Sequence, residues 1–269
     1  MDHDGDLQAY EAFLIELNQV SAEVILPLFR AEHGLDDKGG PEGFDPVTTA
    51  DKGAEAAIRR QIAQRWPTHG VIGEEYGEDN PNAEFVWVID PIDGTRAFIS
   101  GLPVWTTLIA LRRQGAPVLG SIGQPYLGEI FIGHAGGSRL LRRGKSFPLA
   151  ARGGAKLGSA LIATTDPHAC FDSRERSAWR SVRTAARLAR LGCDAYAYAM
   201  VAAGSLDLVL EAGLKCWDID AAIPLVAGAG GAVTDWRGVD VGRFGGQVAI
   251  AGSRALLDEV LPLLAEAAR

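Results

Sequence analysis

A mixed α/β protein is expected from three features of this sequence: apolar runs of strand length, helix-length segments of amphipathic spacing, and turn chemistry rich in Gly, Pro and Asp between them. From Leu7 to about Phe29, apolar Leu14, Leu17, Val20, Ile25 and Leu28 recur at helical spacing, ahead of a turn-rich segment from Gly34 to Pro46. Thr48 and Thr49 precede a helix running from Asp51 towards Trp66, which Pro67 ends. Val71-Ile72-Gly73 reads as a short strand delivering Glu74-Glu75, and Phe85 to Ile89 as a buried strand. Trp105 to Leu111, Val118 to Ile122 and Glu129 to Ile132 follow as a meander.

After Gly153-Gly154 strand and helix alternate: Ala160 to Ala163, a helix near Ser173 to Leu191, the segment Ala195 to Ala203, then the strand Leu206 to Leu210. A helix is expected from Asp218 through Ala221, Ala222 and Leu225 to the Gly230-Gly231 stop, kinked at Pro224, and another over Leu256 to Leu264. No repeat or long linker interrupts this order. One domain over 1–269 is expected, its two lobes meeting in the Gly136 to Gly154 segment, at roughly residue 150.

The chain has 269 residues, 47% of them hydrophobic, and a net charge of −8, enough for a substantial core. The acidic balance excludes a general nucleic-acid binder, which needs clustered Lys and Arg. Arg183, Arg187 and Arg190 have the spacing of a solvated helix face instead. Cys170, Cys193 and Cys216 are odd in number without Cys-x-x-Cys spacing, so neither a disulfide framework nor a zinc site is expected. An acidic start, Met1-Asp2-His3-Asp4-Gly5-Asp6, and the lack of any long apolar run lead us to expect a cytoplasmic protein without a membrane partner. His69, His134 and His168 are isolated and receive no role.

The chemistry concentrates in Asp90-Pro91-Ile92-Asp93-Gly94-Thr95. Asp90 stands at the carboxyl end of a strand, where open α/β sheets place their ligands. Pro91 stops the ladder, Gly94 permits an unusual backbone angle, and Thr95 opens a helix whose free N–H groups favour an anion. Asp51 after a Thr-Thr turn, Glu74 after a strand and Asp218 at a helix start are further oxygen donors at element ends. The bland alternatives are turn caps for Asp90 and Asp93, an N-cap for Asp218 and a helix-dipole partner for Asp220. Converging carboxylates ~4 Å apart would repel by about 4 kcal/mol at an effective dielectric of 20 and would need cations or shared protons. Oxygen donors without His or Cys favour Mg²⁺ over Zn²⁺.

Gly73-Glu74-Glu75, Asp90-Pro91-Ile92-Asp93-Gly94-Thr95 and Trp217-Asp218, in that order, resemble the motifs of the inositol monophosphatase family of Mg²⁺-dependent, Li⁺-sensitive phosphatases, over nearly the whole chain. The resemblance implies a layered αβαβα sandwich, usually a homodimer, with two or three Mg²⁺ in each active site. It implies Glu74, Asp90, the Ile92 carbonyl, Asp93 and Asp218 as metal ligands, and Asp51 for a further, weaker metal. Gly94 and Thr95 would hold the phosphate, and Glu74 and Thr95 would orient the attacking water. Asp51, Glu74 and Thr95 are thus the expected catalytic set.

Asp93 to Gly101, Asp194-Ala195-Tyr196-Ala197-Tyr198, Leu208 to Lys215 and Thr234-Asp235-Trp236 look most like the histidinol-phosphate phosphatase branch of the family. Cys216-Trp217-Asp218 instead resembles the inositol-1-phosphate enzymes. The expected partner is a small phosphate monoester, L-histidinol phosphate first, inositol 1-phosphate or another small-molecule phosphate second. A non-catalytic regulatory relative is the reading from another class. Asp194 and Glu211 could receive the nitrogen groups of histidinol, or be a turn cap and a solvated strand end. Arg96 could contact substrate or cover its helix, and Lys38 could approach phosphate and metal from a glycine-rich loop.

Other phosphatase chemistries do not fit. An Asp-x-Asp nucleophile motif sets its carboxylates two residues apart, whereas Asp90 and Asp93 are three apart with Pro91 between. Neither a P-loop nor a Gly-x-Ser-x-Gly elbow occurs.

Overall fold

The computed structural model describes residues 3–31, 35–37 and 46–269, the side chains of 3–6, 35–37 and 46–47 excepted. Lys38 and most of the Gly34 to Pro46 segment lie outside the described residues. In chain order the elements are α1 (His3–Ile25), β1 (Leu35–Asp37), β2 (Pro46–Thr48), α2 (Thr49–Arg65), β3 (Gly70–Gly73), β4 (Gly77–Asp79), β5 (Phe85–Asp93) and α3 (Thr95–Ile99). The meander comprises β6 (Thr106–Arg113), β7 (Ala116–Gln124), β8 (Glu129–His134), β9 (Gly137–Arg142) and β10 (Lys145–Pro148). Then come β11 (Leu161–Thr164), α4 (Ser173–Ala185), β12 (Leu188–Leu191), α5 (Asp194–Ala202), β13 (Leu208–Leu214), α6 (Cys216–Ile219), α7 (Ala222–Gly228), β14 (Ala232–Thr234), β15 (Gly246–Ala251) and α8 (Arg254–Leu264).

Besides the β1-β2 pair there is an eight-stranded sheet, ordered β10-β9-β8-β7-β6-β5-β3-β4, and a five-stranded one, ordered β12-β11-β13-β15-β14. Side-chain alternation along each strand builds the layers. On the large sheet Trp87, Ile89, Ile109 and Leu111 face α1 and α2, while Val86, Val88, Leu108 and Ala110 face α5 and α7. On the small sheet Val209, Val248 and Ile250 meet the same two helices from the opposite side, and Leu208, Leu210, Ala249 and Ala251 pack under α4 and α8. Helices, sheet, helices, sheet, helices: this is the αβαβα sandwich.

Several elements differ from expectation. The helix from Ser173 stops at Ala185, and Leu188 to Leu191 instead form β12, parallel to β11. The Ala160 carbonyl takes the Arg187 and Leu188 N–H groups there, so strand pairing wins over the helical Arg spacing. Arg183, Arg187 and Arg190 are exposed but share no helix face. The segment Ala195 to Ala203 is largely helical, within α5. The helix expected from Asp218 is two helices, α6 and α7, parted at Asp220-Ala221 rather than kinked at Pro224. Pro224 sits in the first turn of α7, where its missing N–H costs no intrahelical bond. The Gly136 to Gly154 segment holds the β9-β10 hairpin, and the chain passes between sheets from Pro148 to Leu161.

Candidate active site

A bulge turns the end of β5 into a two-carboxylate platform. Asp90 pairs with Leu108 and Asp93 with Thr106, so three steps on β5 oppose two on β6. Strict alternation would send residues three apart to opposite faces, and the extra residue brings Asp90 and Asp93 back to one side. The Thr107 hydroxyl pins the bulge by donating to the Pro91 carbonyl at 2.8 Å. Immediately after it, Gly94 adopts φ +81° as the N-cap of α3, a left-handed angle that suits glycine.

Asp218 arrives from the other half of the chain. It is the third residue of α6, and its Oδ2 accepts the Lys215 N–H at 2.6 Å, so Lys215 rather than Asp218 is the N-cap. One oxygen each from Asp90, Asp93 and Asp218 lie within 4.8 Å of one another. Asp93 also accepts the Ala195 N–H at the start of α5, at 2.7 Å.

Burial pushes the Asp90 carboxyl well above the usual range, and the charges of Glu74, Asp93, Asp218 and Asp51 push it further. All four expected partners are thus within electrostatic reach of Asp90. Burial likewise raises Asp93, with Asp194 adding to it and the Ala195 N–H opposing, and lifts Asp218 to about 6. Glu74 follows β3 and donates its N–H to the Ile89 carbonyl at 3.3 Å. Asp51 is buried in the first turn of α2, its Oδ2 accepting both the N–H and the hydroxyl of Thr48, at 2.8 and 2.5 Å.

The residues suit a cation. Asp90 Oδ1 is buried without a hydrogen-bond partner, an arrangement that is costly unless a cation or proton meets it. The clustered donors are all carboxylate oxygens, the hard set that Mg²⁺ prefers. The Thr95 hydroxyl donates to the Ile92 carbonyl at 3.1 Å, which leaves its lone pairs to accept a hydrogen bond from a water.

A cavity of about 300 Å³ opens beside this centre, lined by Asp93, Gly94, Thr95 and Asp218 together with Asp194 and Glu211. Glu211 is buried rather than a solvated strand end; it accepts from the Thr165 N–H at 2.8 Å and the Thr165 hydroxyl at 2.9 Å. Burial lifts its pKa to about 8, against the pull of Thr165. Asp194 is the first residue of α5 with φ +45°, not a strand-turn cap, and burial raises it to about 6 while Arg96 opposes. Arg96 is exposed on α3, at the rim of the same cavity.

One supporting group carried no expectation from the sequence. Glu55, fully buried on α2, accepts the Glu75 N–H at 2.8 Å and the Tyr76 N–H at 3.2 Å, and so braces the turn that carries Glu74. A Cβ on Gly73 would lie 2.0 Å from its Oε1, so only glycine allows that approach. The four-residue spacing of Asp51, Glu55 and Arg59 on one helix was the available signal. Asp220 is not a free helix-dipole partner: it is buried in an ion pair with Arg112.

Fold and cavity together define an α/β phosphatase, a phosphoric monoester hydrolase. The chain belongs to the inositol monophosphatase family, whose sequence model matches residues 6–269. It is 43% identical over 237 residues to the bifunctional phosphatase IMPL2, chloroplastic, of Arabidopsis thaliana, covering 87% of this chain and 66% of that protein. It is 35% identical over 193 residues to a histidinol-phosphatase of Chlorobaculum parvum, 72% of this chain and 73% of the relative. The solved structure of an inositol monophosphatase from Zymomonas mobilis superposes with a TM-score of 0.84 at 35% identity, covering 98% of this chain and 99% of that one. Enzymes of the family are metal-dependent and act on small phosphate monoesters. Among the described residues, no helix is long and apolar enough to cross a membrane.

Proposed function

We propose that this chain is a Mg²⁺-dependent phosphomonoesterase that hydrolyses L-histidinol phosphate to L-histidinol and phosphate. Glu74, Asp90, the Ile92 carbonyl, Asp93 and Asp218 would hold Mg²⁺, with Asp51 beside a further ion. When bound, Mg²⁺ supplies Lewis-acid polarisation of the phosphoryl group and acidifies a water. Gly94 and Thr95 bind the phosphate, and the Thr95 hydroxyl, its proton committed to Ile92, accepts from the attacking water while Glu74 orients it. In-line attack needs no phosphoenzyme: the water oxygen bonds to phosphorus as the ester P–O bond breaks, the water's proton passes to solvent, and the leaving alkoxide takes a proton back from solvent.

The single observation that carries the substrate assignment is the pair of acids Asp194 and Glu211, which line the same cavity as the carboxylate centre. Both carboxyls are raised by burial, so each gains from a cationic partner that stabilises its charged form. Histidinol presents an ammonium and an imidazole, which match two acids better than inositol hydroxyls do. The likeness to the histidinol-phosphatase of Chlorobaculum parvum supports the same reading.

Cys216-Trp217-Asp218 and the likeness to the Zymomonas mobilis structure favour inositol 1-phosphate as the second reading. Phosphate release with saturating Mg²⁺ should be much faster from histidinol phosphate than from inositol 1-phosphate; equal or reversed preference replaces the first reading with the second. A cytoplasmic homodimer inhibited by Li⁺ completes the proposal. Exposed Leu102, Tyr126 and Leu127 support a self-association surface, and sedimentation of the purified protein tests it.

A further inference from the structure

The one-turn helix that carries Asp218 is too short to hold its own shape. Four residues form a single turn, and a single turn is an unfavourable nucleus without outside support. Its geometry must therefore come from neighbours. The charged one among these is Arg112, on β6 of the large sheet, buried at 2% exposure. Its Nε donates to Oδ2 of Asp220, the C-cap of α6, itself 3% exposed. Cys216, the first residue of α6, lies beside the same guanidinium. A second guanidinium nitrogen donates to the Arg243 carbonyl at 2.9 Å, which fixes the fork.

One planar group thus meets both ends of the turn whose third residue is Asp218. We propose that Arg112 is a positioning residue for the cation centre, clamping α6 so that Asp218 meets Asp90 and Asp93 at ligand distance, an inference that rests on the cation-site reading above. The Lys215 N–H already holds Asp218 Oδ2, so a rotation of α6 would carry both away from the centre together. Arginine suits this task because its fork presents several donors in fixed directions, whereas lysine offers a point charge on a flexible stem.

The test compares Arg112→Lys, Asp220→Asn and the double variant Arg112→Met/Asp220→Leu with wild type. The double variant removes the clamp without leaving a buried charge unpaired, so it is the one expected to keep its fold. Mg²⁺ affinity is measured by calorimetric titration of metal-free protein, alongside its melting temperature and the Mg²⁺ dependence of phosphate release. Each folded variant should bind Mg²⁺ about 10- to 100-fold more weakly, as loss of a partner behind a metal ligand typically does. The Mg²⁺ concentration for half-maximal rate should rise in step, with most of the rate regained at saturation. A double variant with wild-type Mg²⁺ affinity overturns the clamp, whatever its melting temperature. Wild-type protein that binds no Mg²⁺ overturns the cation-site reading instead.

Discussion

The Asp93 carboxylate accepts the Ala195 N–H at 2.7 Å, which ties the bulge of β5 to the first turn of α5, 102 residues further on. The same side chain is one of the three whose oxygens lie within 4.8 Å of one another. Asp93 therefore joins the halves of the chain and supplies charge to the centre. Asn in its place keeps an oxygen for the Ala195 N–H and loses the charge, with an NH2 group in place of the second oxygen. Asp93→Asn should fold normally and lose more than about 100-fold in turnover, beyond the usual cost of an outer-shell partner. Unchanged activity in steady-state phosphate release would remove Asp93 from the metal site.

Gly94 tests the phosphate cradle. At φ +81° a side chain meets left-handed strain of about 1–2 kcal/mol, and a Cβ there would lie 3.0 Å from Asp194 Oδ2. Gly94→Ala should raise the inhibition constant for inorganic phosphate by about tenfold, the equivalent of 1.4 kcal/mol. Competitive inhibition with wild-type affinity would show that phosphate does not approach Gly94 closely.

Replacing Asp194 tests whether recognition of the leaving group can be separated from the chemistry. Its backbone is left-handed at φ +45°, a conformation that Asn tolerates better than Ala, so Asp194→Asn changes charge with little strain. KM for histidinol phosphate should rise about tenfold or more, matching the loss of a charge-assisted hydrogen bond of about 1.5 kcal/mol. A phosphate ester with an uncharged leaving group should be hydrolysed as before. Equal losses on both esters would point to Asp194 supporting Asp93 rather than meeting substrate.

The acidic centre was legible because each of its members stands near one end of an element: Asp90 after an apolar run, Glu74 after another, Asp51 behind two threonines and Asp218 beyond β13. Element ends follow from local pattern, and the motif resemblance supplied their convergence. The bulge at Pro91-Ile92 was not legible, since register depends on Thr106 and Leu108 across the ladder. Nor was the fate of Asp220, which depends on Arg112 in a different sheet layer. Strand β12 was hidden by arginines spaced as on a helix, and β14 and β15 by glycine-rich surroundings that weaken any strand pattern. Lys38, expected to approach the phosphate, lies outside the described residues.

Glu211 should leave a signature in the pH dependence of stability. Burial lifts its pKa from 4.5 to about 8, so between those values the folded chain holds a proton that the unfolded chain has released. Where the native state binds more protons, stability falls as pH rises. The contribution is therefore fully present below pH 4.5 and is lost as pH climbs through about 8. Glu211→Gln keeps an oxygen for the Thr165 N–H and has no proton to lose. Urea melts of the metal-free proteins from pH 5 to 9 should show a wild-type decline towards pH 8 that is clearly shallower in Glu211→Gln. Cationic substrate or histidinol should shrink that decline, because a bound cation stabilises the ionised carboxylate and draws its pKa back down. Parallel pH profiles for the two proteins would mean that Glu211 is already ionised in the native state, and the acid pair would lose its claim to select a cationic leaving group by relief of burial.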